Sequence, residues 1–171
     1  LLFFGSFLFV VAGSLGSNMG AMLERYEVEG RQEDVLFTTA EALGDIPSLE
    51  RAAGAAIEGV LSYDATLENG TQLRLLSPGD KVNRYEVRQG AGLQNPGDVL
   101  LDPYFMTGQG LSIGDELTVA GKTFRVAGTA AIPNYVYALK NVYDLMPPTG
   151  FGLGLVAEAD FAELPAAQTV Y

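Results

Sequence analysis

The sequence predicts an α+β protein, in which a mixed α/β lobe carries a β-rich inserted second lobe and is preceded by the end of a transmembrane helix. Three observations lead to this fold class. The chain opens with thirteen uncharged, mostly apolar residues; residues 34–76 follow the order strand, helix, strand, hairpin and strand; and after residue 77 short apolar runs alternate with Gly and Asp turns.

The apolar start reads L-L-F-F-G-S-F-L-F-V-V-A-G over residues 1–13. A helix needs about 20 apolar residues to cross a bilayer, so thirteen are too few for a complete span. We therefore interpret residues 1–14 as the truncated end of a transmembrane helix. A secretory signal peptide and a buried core helix are the alternatives that this length leaves open.

Residues 15–32 are predicted to be a juxtamembrane helical connector, because Met19, Met22, Leu23 and Tyr26 are spaced three and four apart. The run D-V-L-F-T-T at residues 34–39 is rich in β-branched and aromatic residues and predicts a buried strand.

A helix is predicted from about Ile46 to Glu58. Asp45 is a suitable N-cap, and Pro47 falls within the first turn, where a missing N–H is tolerated. Leu49 belongs to an apolar stripe along this helix, so we expect the helix to pack on a sheet.

A β-hairpin follows this helix. Residues 60–67 alternate between apolar and polar side chains, which is typical of a half-buried strand. Asn69-Gly70 predicts a type I′ turn, and residues 72–76 supply the return strand.

The β-rich lobe is assigned to residues 81–149, with strands at 98–102, 116–120 and 122–129. Residues 103–110 predict a short helix that turns Tyr104, Phe105 and Met106 inward. The α/β lobe comprises residues 33–80 and 150–171, with a strand at 151–157 and a helix from about Ala159 to Leu164, and we expect its C-terminal part to be missing from this sequence.

Composition narrows the chemistry that the chain can perform. It has no Cys and no His, so thiolate catalysis, disulfides and the most common metal ligand and neutral-pH general base are absent. Ten Lys and Arg against 21 Asp and Glu give a net charge of −11, which disfavours nucleic acid as a partner.

Motifs for catalysis or cofactor binding are weak. The sequence contains no G-x-x-x-x-G-K-[ST], and the glycines at 108–114 miss the dinucleotide-binding spacing by one residue. The acidic pairs Asp98 with Asp102 and Glu158 with Asp160 could form a glycosidase pair or a calcium site, but strand ends and a helix start also explain them. We predict no catalytic, cofactor-binding or metal-binding residue, and hence no enzyme.

A tyrosine-rich connector offers the one candidate contact surface for a partner or substrate. Tyr135, Tyr137, Lys140 and Tyr143 gather aromatic rings and a cation in a long segment between predicted strands. The alternative is that these rings cover the edge between the two lobes.

An ordered series of motifs resembles a known family. N-R-Y-E-V-R-Q-G begins at residue 83, G-D-V-L-L-D-P-Y-F follows at 97, and G-L-S-I-G-D-E-L-T-V at 110. Later matches are P-N-Y-V-Y-A-L-K from residue 133 and D-L-M-P from residue 144. In this order they resemble the extracytoplasmic, MacB-like periplasmic core domain of FtsX-like permeases from ATP-binding-cassette systems. The motif residues that carry the resemblance are Asn83, Gly90, Leu111, Gly114 and Asp115.

The resemblance implies a domain in the cell membrane's extracytoplasmic space that couples ATP hydrolysis on a separate cytoplasmic subunit to substrate export, extraction or force transmission. The implied partners are that ATP-binding subunit, a second permease copy or half, and a lipid, lipoprotein or peptide cargo. The alternative function is a membrane-tethered or secreted ligand-binding module with no transporter role.

Overall fold

A mixed β-sheet organises the fold. The structure is a computed structural model and describes residues 10, 13–14, 18–21, 23–39, 41–135, 150–165 and 167–171. Within these residues the chain is α+β with a sheet-rich core, which confirms the predicted class at that level. The eight strands are β1 (Val60–Thr66), β2 (Gln72–Leu76), β3 (Glu86–Gly90), β4 (Asp98–Leu101), β5 (Glu116–Val119), β6 (Lys122–Ala131), β7 (Phe151–Val156) and β8 (Gln168–Val170).

Helices are short and lie around the sheet. The described residues between 10 and 24 are helical and lead into a π-helix. The assignment of residues 15–32 as a juxtamembrane connector stays a prediction. The helices defined within the described residues are this π-helix (Arg25–Glu29), α1 (Ile46–Ala53), α2 (Pro103–Gly108) and a 3-10 helix (Glu158–Glu163). Within the described part of the chain, no helix combines the length and the apolar character needed to cross a bilayer. Residues 1–9 and 11–12, most of the predicted membrane segment, lie outside the described residues.

The sheet has the strand order β3-β6-β4-β7-β2-β1-β8, and β5 pairs with β6. The pairs β2–β7 and β4–β6 are parallel, and the remaining pairs are antiparallel. Strands from both predicted lobes therefore share one hydrogen-bonded sheet, joined where β4 meets β7. The division into two lobes stays a prediction.

The two faces of the sheet carry different cores. On one face, α2 and the 3-10 helix bring Phe105 and Phe161 onto the buried side chains of Leu73, Leu75 and other residues. On the opposite face, a smaller cluster is formed by Leu100, Ala127, Ala130, Ile132, Phe151, Leu153 and Leu155. The period-two alternation of the strands produces this division, because successive side chains point to opposite faces.

The predicted hairpin is found, but its turn type was wrong. β1 and β2 pair antiparallel with Thr66 opposite Gln72. In the loop only Gly70 has a positive φ, 82°. The Gly70 N–H donates to the Leu67 carbonyl, which indicates a three-residue turn with glycine in the left-handed position.

The predicted strand at residues 34–39 was wrong. Within the described part of the chain, the segment makes one bridge between Thr38 and Val170 and paired backbone bonds between Phe37 and Tyr171. Val35 is 70% exposed and Leu36 54% exposed, so the run is not buried. A short apolar run is buried only where another part of the fold packs over it, and the run itself does not show whether that happens.

The helix predicted to reach Glu58 ends earlier. Asp45 caps it through Ser48 N and Pro47 lies in the first turn, as predicted, but α1 stops before Gly54, which adopts a left-handed φ of 66°. The expected packing on the sheet was also wrong, because no residue of α1 is buried and Leu49 is 40% exposed. Gly54 ends the helix, and the spacing of apolar residues used for the prediction does not indicate this end.

Two smaller expectations also differ. Phe105 of α2 is buried as predicted, whereas Tyr104 is 85% exposed. Consecutive side chains of a helix point in different directions, so in α2 Phe105 faces the sheet while Tyr104 faces away from it. The predicted helix near Ala159 is the 3-10 helix, which begins one residue earlier.

Candidate functional site

A cavity of about 1060 Å³ lies on the face of the sheet that carries the smaller core. Its floor is formed by β1, β2, β7 and β8, and its walls by segment 31–38, by the chain after α1 and by loop 77–83. Apolar side chains of Leu76, Ile132 and Leu155 line it beside charged and amide groups. The cavity is therefore suited to a ligand with both apolar and polar parts.

Arg74 is a firmly held positive charge in the cavity. Its Nε and Nη2 donate to Asp64 Oδ1 and Oδ2 at 2.6 and 2.8 Å, and its Nη1 donates to the Tyr135 hydroxyl at 3.2 Å. The guanidinium carbon lies 5.6 Å from the ring centre of Phe151. The bidentate bond to Asp64 raises the pKa of Arg74 despite partial burial, so this cation is permanent.

The Arg74–Asp64 pair follows from strand register, because the two residues are directly opposite each other on β1 and β2. Sequence reasoning did not single out either residue. The predicted hairpin contained the information needed to find this pair. If Thr66 lies opposite Gln72, counting two residues along each strand places Asp64 opposite Arg74.

A second polar cluster ties three segments together around Glu33. The Glu33 carboxylate accepts hydrogen bonds from Asn83 Nδ2 at 2.5 Å and Asn134 Nδ2 at 3.0 Å. The Glu33 N–H in turn donates to Asn83 Oδ1 at 3.0 Å. Asn83 is one of the residues that carry the family resemblance. It therefore binds Glu33, the residue that directly follows the predicted connector.

Backbone bonds extend this attachment. Asn83 N–H donates to the Arg31 carbonyl at 3.0 Å, and Arg84 N–H to the Gly30 carbonyl at 2.8 Å. Further along, the Arg25 guanidinium forms an ion pair with Glu86 of β3 at 2.5 Å. We call the contacts of residues 30–33 with 83–84 and 134 the connector clamp.

The loop before Asn83 binds a carboxylate. Three successive backbone N–H groups, of Asp80, Lys81 and Val82, donate to the Glu58 carboxylate at distances from 2.8 to 3.1 Å. Close by, Lys81 Nζ donates to Glu50 Oε1 at 2.9 Å. Both glutamates come from α1 or the residues after it.

The other motif residues shape turns. Gly90 has a φ of 78°, and a Cβ there would lie 2.4 Å from the Ala127 carbonyl oxygen, so only glycine fits beside β6. Asp115 caps the next turn by accepting Ser112 N–H at 2.8 Å, and Gly114 donates to the Val126 carbonyl at 2.8 Å. Leu111 packs against the larger core. These residues support the cavity's sheet and do not line the cavity.

Of the tyrosine-rich connector, only Tyr135 falls within the described residues; Tyr137, Lys140 and Tyr143 lie outside them. Tyr135 lines the cavity and accepts a hydrogen bond from Arg74. Its expected role in partner or substrate contact stays a prediction.

The acidic pairs considered for chemistry hold loops and ion pairs instead. Asp98 accepts the Asn95 N–H and pairs with Arg125 at 2.8 Å, and Asp102 caps α2. Asp160 is 1% exposed, accepts Gly97 N–H and pairs with Lys122 at 2.9 Å. Among the described residues, no group of three acidic side chains is arranged to hold a metal ion.

No protein-family model matches the chain, and no curated protein matches it significantly.

Proposed function

We propose that the chain is the extracytoplasmic domain of an FtsX-like, MacB-like permease of an ATP-binding-cassette system, lying outside the cell membrane. In this proposal a separate cytoplasmic subunit hydrolyses ATP. The domain couples that hydrolysis to export or extraction of a lipid, lipoprotein or peptide, or to force transmission across the envelope. A second permease copy or half completes the assembly.

The connector clamp is the observation that carries the proposal. A domain that transmits a displacement from membrane helices must be attached firmly where the connector meets its body, since a loose joint would absorb the movement. Glu33 binds both Asn83 and Asn134, and the backbone of residues 30–31 is bonded to residues 83–84. The connector is thereby joined to the segment before β3 and to the segment after β6.

The positions of the joined segments favour transmission into the whole sheet. Among the described strands, β3 pairs with β6 alone, and β6 also pairs with β4 and β5. A pull on Glu33 therefore acts on both strands at this edge, and then through β4 and β7 on the rest of the sheet. Two arrangements of similar energy elsewhere in the assembly would complete a switch.

The test uses the whole polypeptide that carries this chain, expressed with its candidate ATP-binding subunit and purified in nanodiscs. We expect the two to copurify, and we expect Asn83→Gly to keep the complex while lowering ATP-dependent cargo movement. Asn69→Gly, in the exposed hairpin loop, is the matched control and should behave as wild type. Failure of any ATP-binding subunit to associate would contradict the proposal.

The cavity favours a second candidate, a ligand-binding module with no transporter role. Its apolar walls and the anchored Arg74 are suited to an amphipathic small molecule. Binding of a ligand by a polypeptide that associates with no ATPase would favour this alternative.

A further inference from the structure

The loop of Gly79 to Val82 has the form of an anion receptor. Its three consecutive N–H groups converge on both oxygens of the Glu58 carboxylate, with Val82 N–H at 2.8 Å from Oε2 and Asp80 N–H at 2.9 Å from Oε1. Successive N–H groups that point to one centre form a concave site for an oxyanion. The bound carboxylate shows which chemistry this loop accepts.

The loop is built tightly around that site. A Cβ at Gly79 would lie 2.3 Å from the Val82 carbonyl oxygen and 2.9 Å from Glu58 Oε2. Only glycine therefore allows the loop to close and the carboxylate to approach. The Lys81 side chain adds a positive charge beside the receptor.

The segment that supplies Glu58 is held mainly by polar contacts. No residue of α1 is buried, and the chain leaves the helix at Gly54 in a left-handed conformation. Glu50 fastens this segment by accepting Ile57 N–H at 3.0 Å and Lys81 Nζ at 2.9 Å. The Ile57 N–H and then Lys81 lower the pKa of Glu50. Departure of Glu58 would therefore expose no core.

The receptor opens on the cavity. Glu58, Gly79, Lys81 and Val82 line the same space as Leu76, Ile132 and Leu155. An anion bound in place of Glu58 would have apolar side chains within the same cavity to cover an attached hydrocarbon group.

We propose that residues 79–82 form a binding site for the anionic end of an amphipathic ligand, a carboxylate or phosphate on an apolar chain, and that Glu58 occupies this site in the absence of the ligand. Ligand binding exchanges one oxyanion for another at the same three N–H groups. The apolar chain then lies in the cavity above β2 and β7. This proposal does not depend on a transporter role.

The test is a titration of the ¹⁵N-labelled full chain with octanoate, followed through the amide signals of residues 80–82. An internal competitor reduces the apparent affinity in proportion to the fraction of time that the site is free, so Glu58→Gln should bind octanoate at least about tenfold more tightly than wild type. The amide signals of Asp80, Lys81 and Val82 should shift in both proteins.

Controls separate the two parts of the site. Acetate and octanol each provide only half of the ligand, and both should bind at least about tenfold more weakly than octanoate. Octyl phosphate tests the second anion. Glu163→Gln, which removes an exposed carboxylate paired with Lys122 away from the cavity, should leave octanoate affinity unchanged.

Three results would overturn the proposal. One is octanoate binding by Glu58→Gln no tighter than by wild type, in a variant whose spectrum shows a folded chain. Another is binding that leaves the amides of residues 80–82 unshifted. The third is acetate binding as tightly as octanoate, which would remove the cavity from the site. If Glu58→Gln does not fold, Glu58→Asp, which keeps the charge on a shorter side chain, should still bind octanoate more tightly than wild type.

Discussion

At the residue scale, charged side chains organise irregular backbone. Asp98 is 2% exposed, yet it accepts N–H groups of Gln94 and Asn95 and pairs with Arg125. Glu58 does the same for the loop after Gly79. Burying a carboxylate without such partners would cost folding free energy. These hydrogen bonds and ion pairs therefore make it possible for acidic side chains to be buried in the fold.

Asp98→Asn tests this use of a buried acid. Burial opposes ionisation of Asp98, but the Asn95 N–H, Arg125 and the Gln94 N–H outweigh it and lower the pKa below 3.8. A carboxyl whose folded pKa is depressed stabilises the protein above its unfolded pKa, and this stabilisation is lost as pH falls through the folded pKa. We expect the variant to lose about 1.5–3 kcal/mol at pH 7.

The measurement is urea unfolding of both proteins from pH 7 to pH 3. The difference in unfolding free energy should shrink below about pH 4, where the Asp98 carboxyl of the unfolded wild-type chain begins to protonate while the folded one stays ionised. Asp34→Asn, at an exposed position, controls for removing one negative charge from a chain of net charge −11. A difference that stays constant with pH would contradict the assignment.

Gly152→Ala tests the close approach of α2 to β7. A Cβ at Gly152 would lie 1.9 Å from Phe105 Cδ2, so the ring would have to leave its place in the core. Overpacking of this kind costs about 1–3 kcal/mol in unfolding free energy. Thermal or urea unfolding measures it.

Gly108→Ala is the matched control for that change, because a Cβ at Gly108 meets nothing within 4 Å. Ala at this helical position should be neutral or slightly stabilising. Equal effects of the two substitutions would mean that the contact between Phe105 and β7 is unimportant.

At the element scale, the sequence predicts strands better than their surroundings. β1, β2, β4, β5, β6 and β7 fall close to the predicted runs, because each has alternating or wholly apolar residues between clear turns. Segment 34–39 and α1 are equally apolar in pattern but lack a covering layer in the described structure. Burial depends on distant partners, which local pattern does not reveal.

The connector clamp can be tested at this scale by hydrogen exchange. Asn83 has a φ of 51°, so Asn83→Gly keeps the backbone conformation and removes only the side-chain bonds to Glu33. Losing about 1.4 kcal/mol of local stability should accelerate exchange of the Glu33 amide about tenfold.

Asn83→Ala adds backbone strain and should be less stable than Asn83→Gly by about 1 kcal/mol. Asn69→Gly should leave Glu33 exchange unchanged. Unchanged exchange in Asn83→Gly would show that the backbone bonds alone hold the connector.

At the scale of the whole molecule, the sequence predicts the α+β class, whereas the single sheet has to be seen. Forty-nine residues separate the end of β4 at Leu101 from the start of β7 at Phe151. Among the strand pairs of the described residues, β4–β7 is the one that joins the two predicted lobes. The candidate site was even less accessible from sequence. Arg74, Glu33 and Glu58 become neighbours of one cavity only through long-range contacts. Of the predicted contact surface, Tyr135 lines this cavity, and its other three residues lie outside the described part of the chain.

We expect the connector and the sheet to move as one body. Because the chain has no Cys, Val28→Cys and Tyr104→Cys, at positions 68% and 85% exposed, place spin labels on the connector and on α2. Pulsed electron spin resonance on the proposed assembly of permease and ATP-binding subunit measures their separation with and without ATP.

We expect the distance between the labels at positions 28 and 104 to stay the same through the nucleotide cycle. The distance from position 104 to a label on the second permease copy or half should change. A change between connector and sheet, with no change between the two permease partners, would contradict the claim.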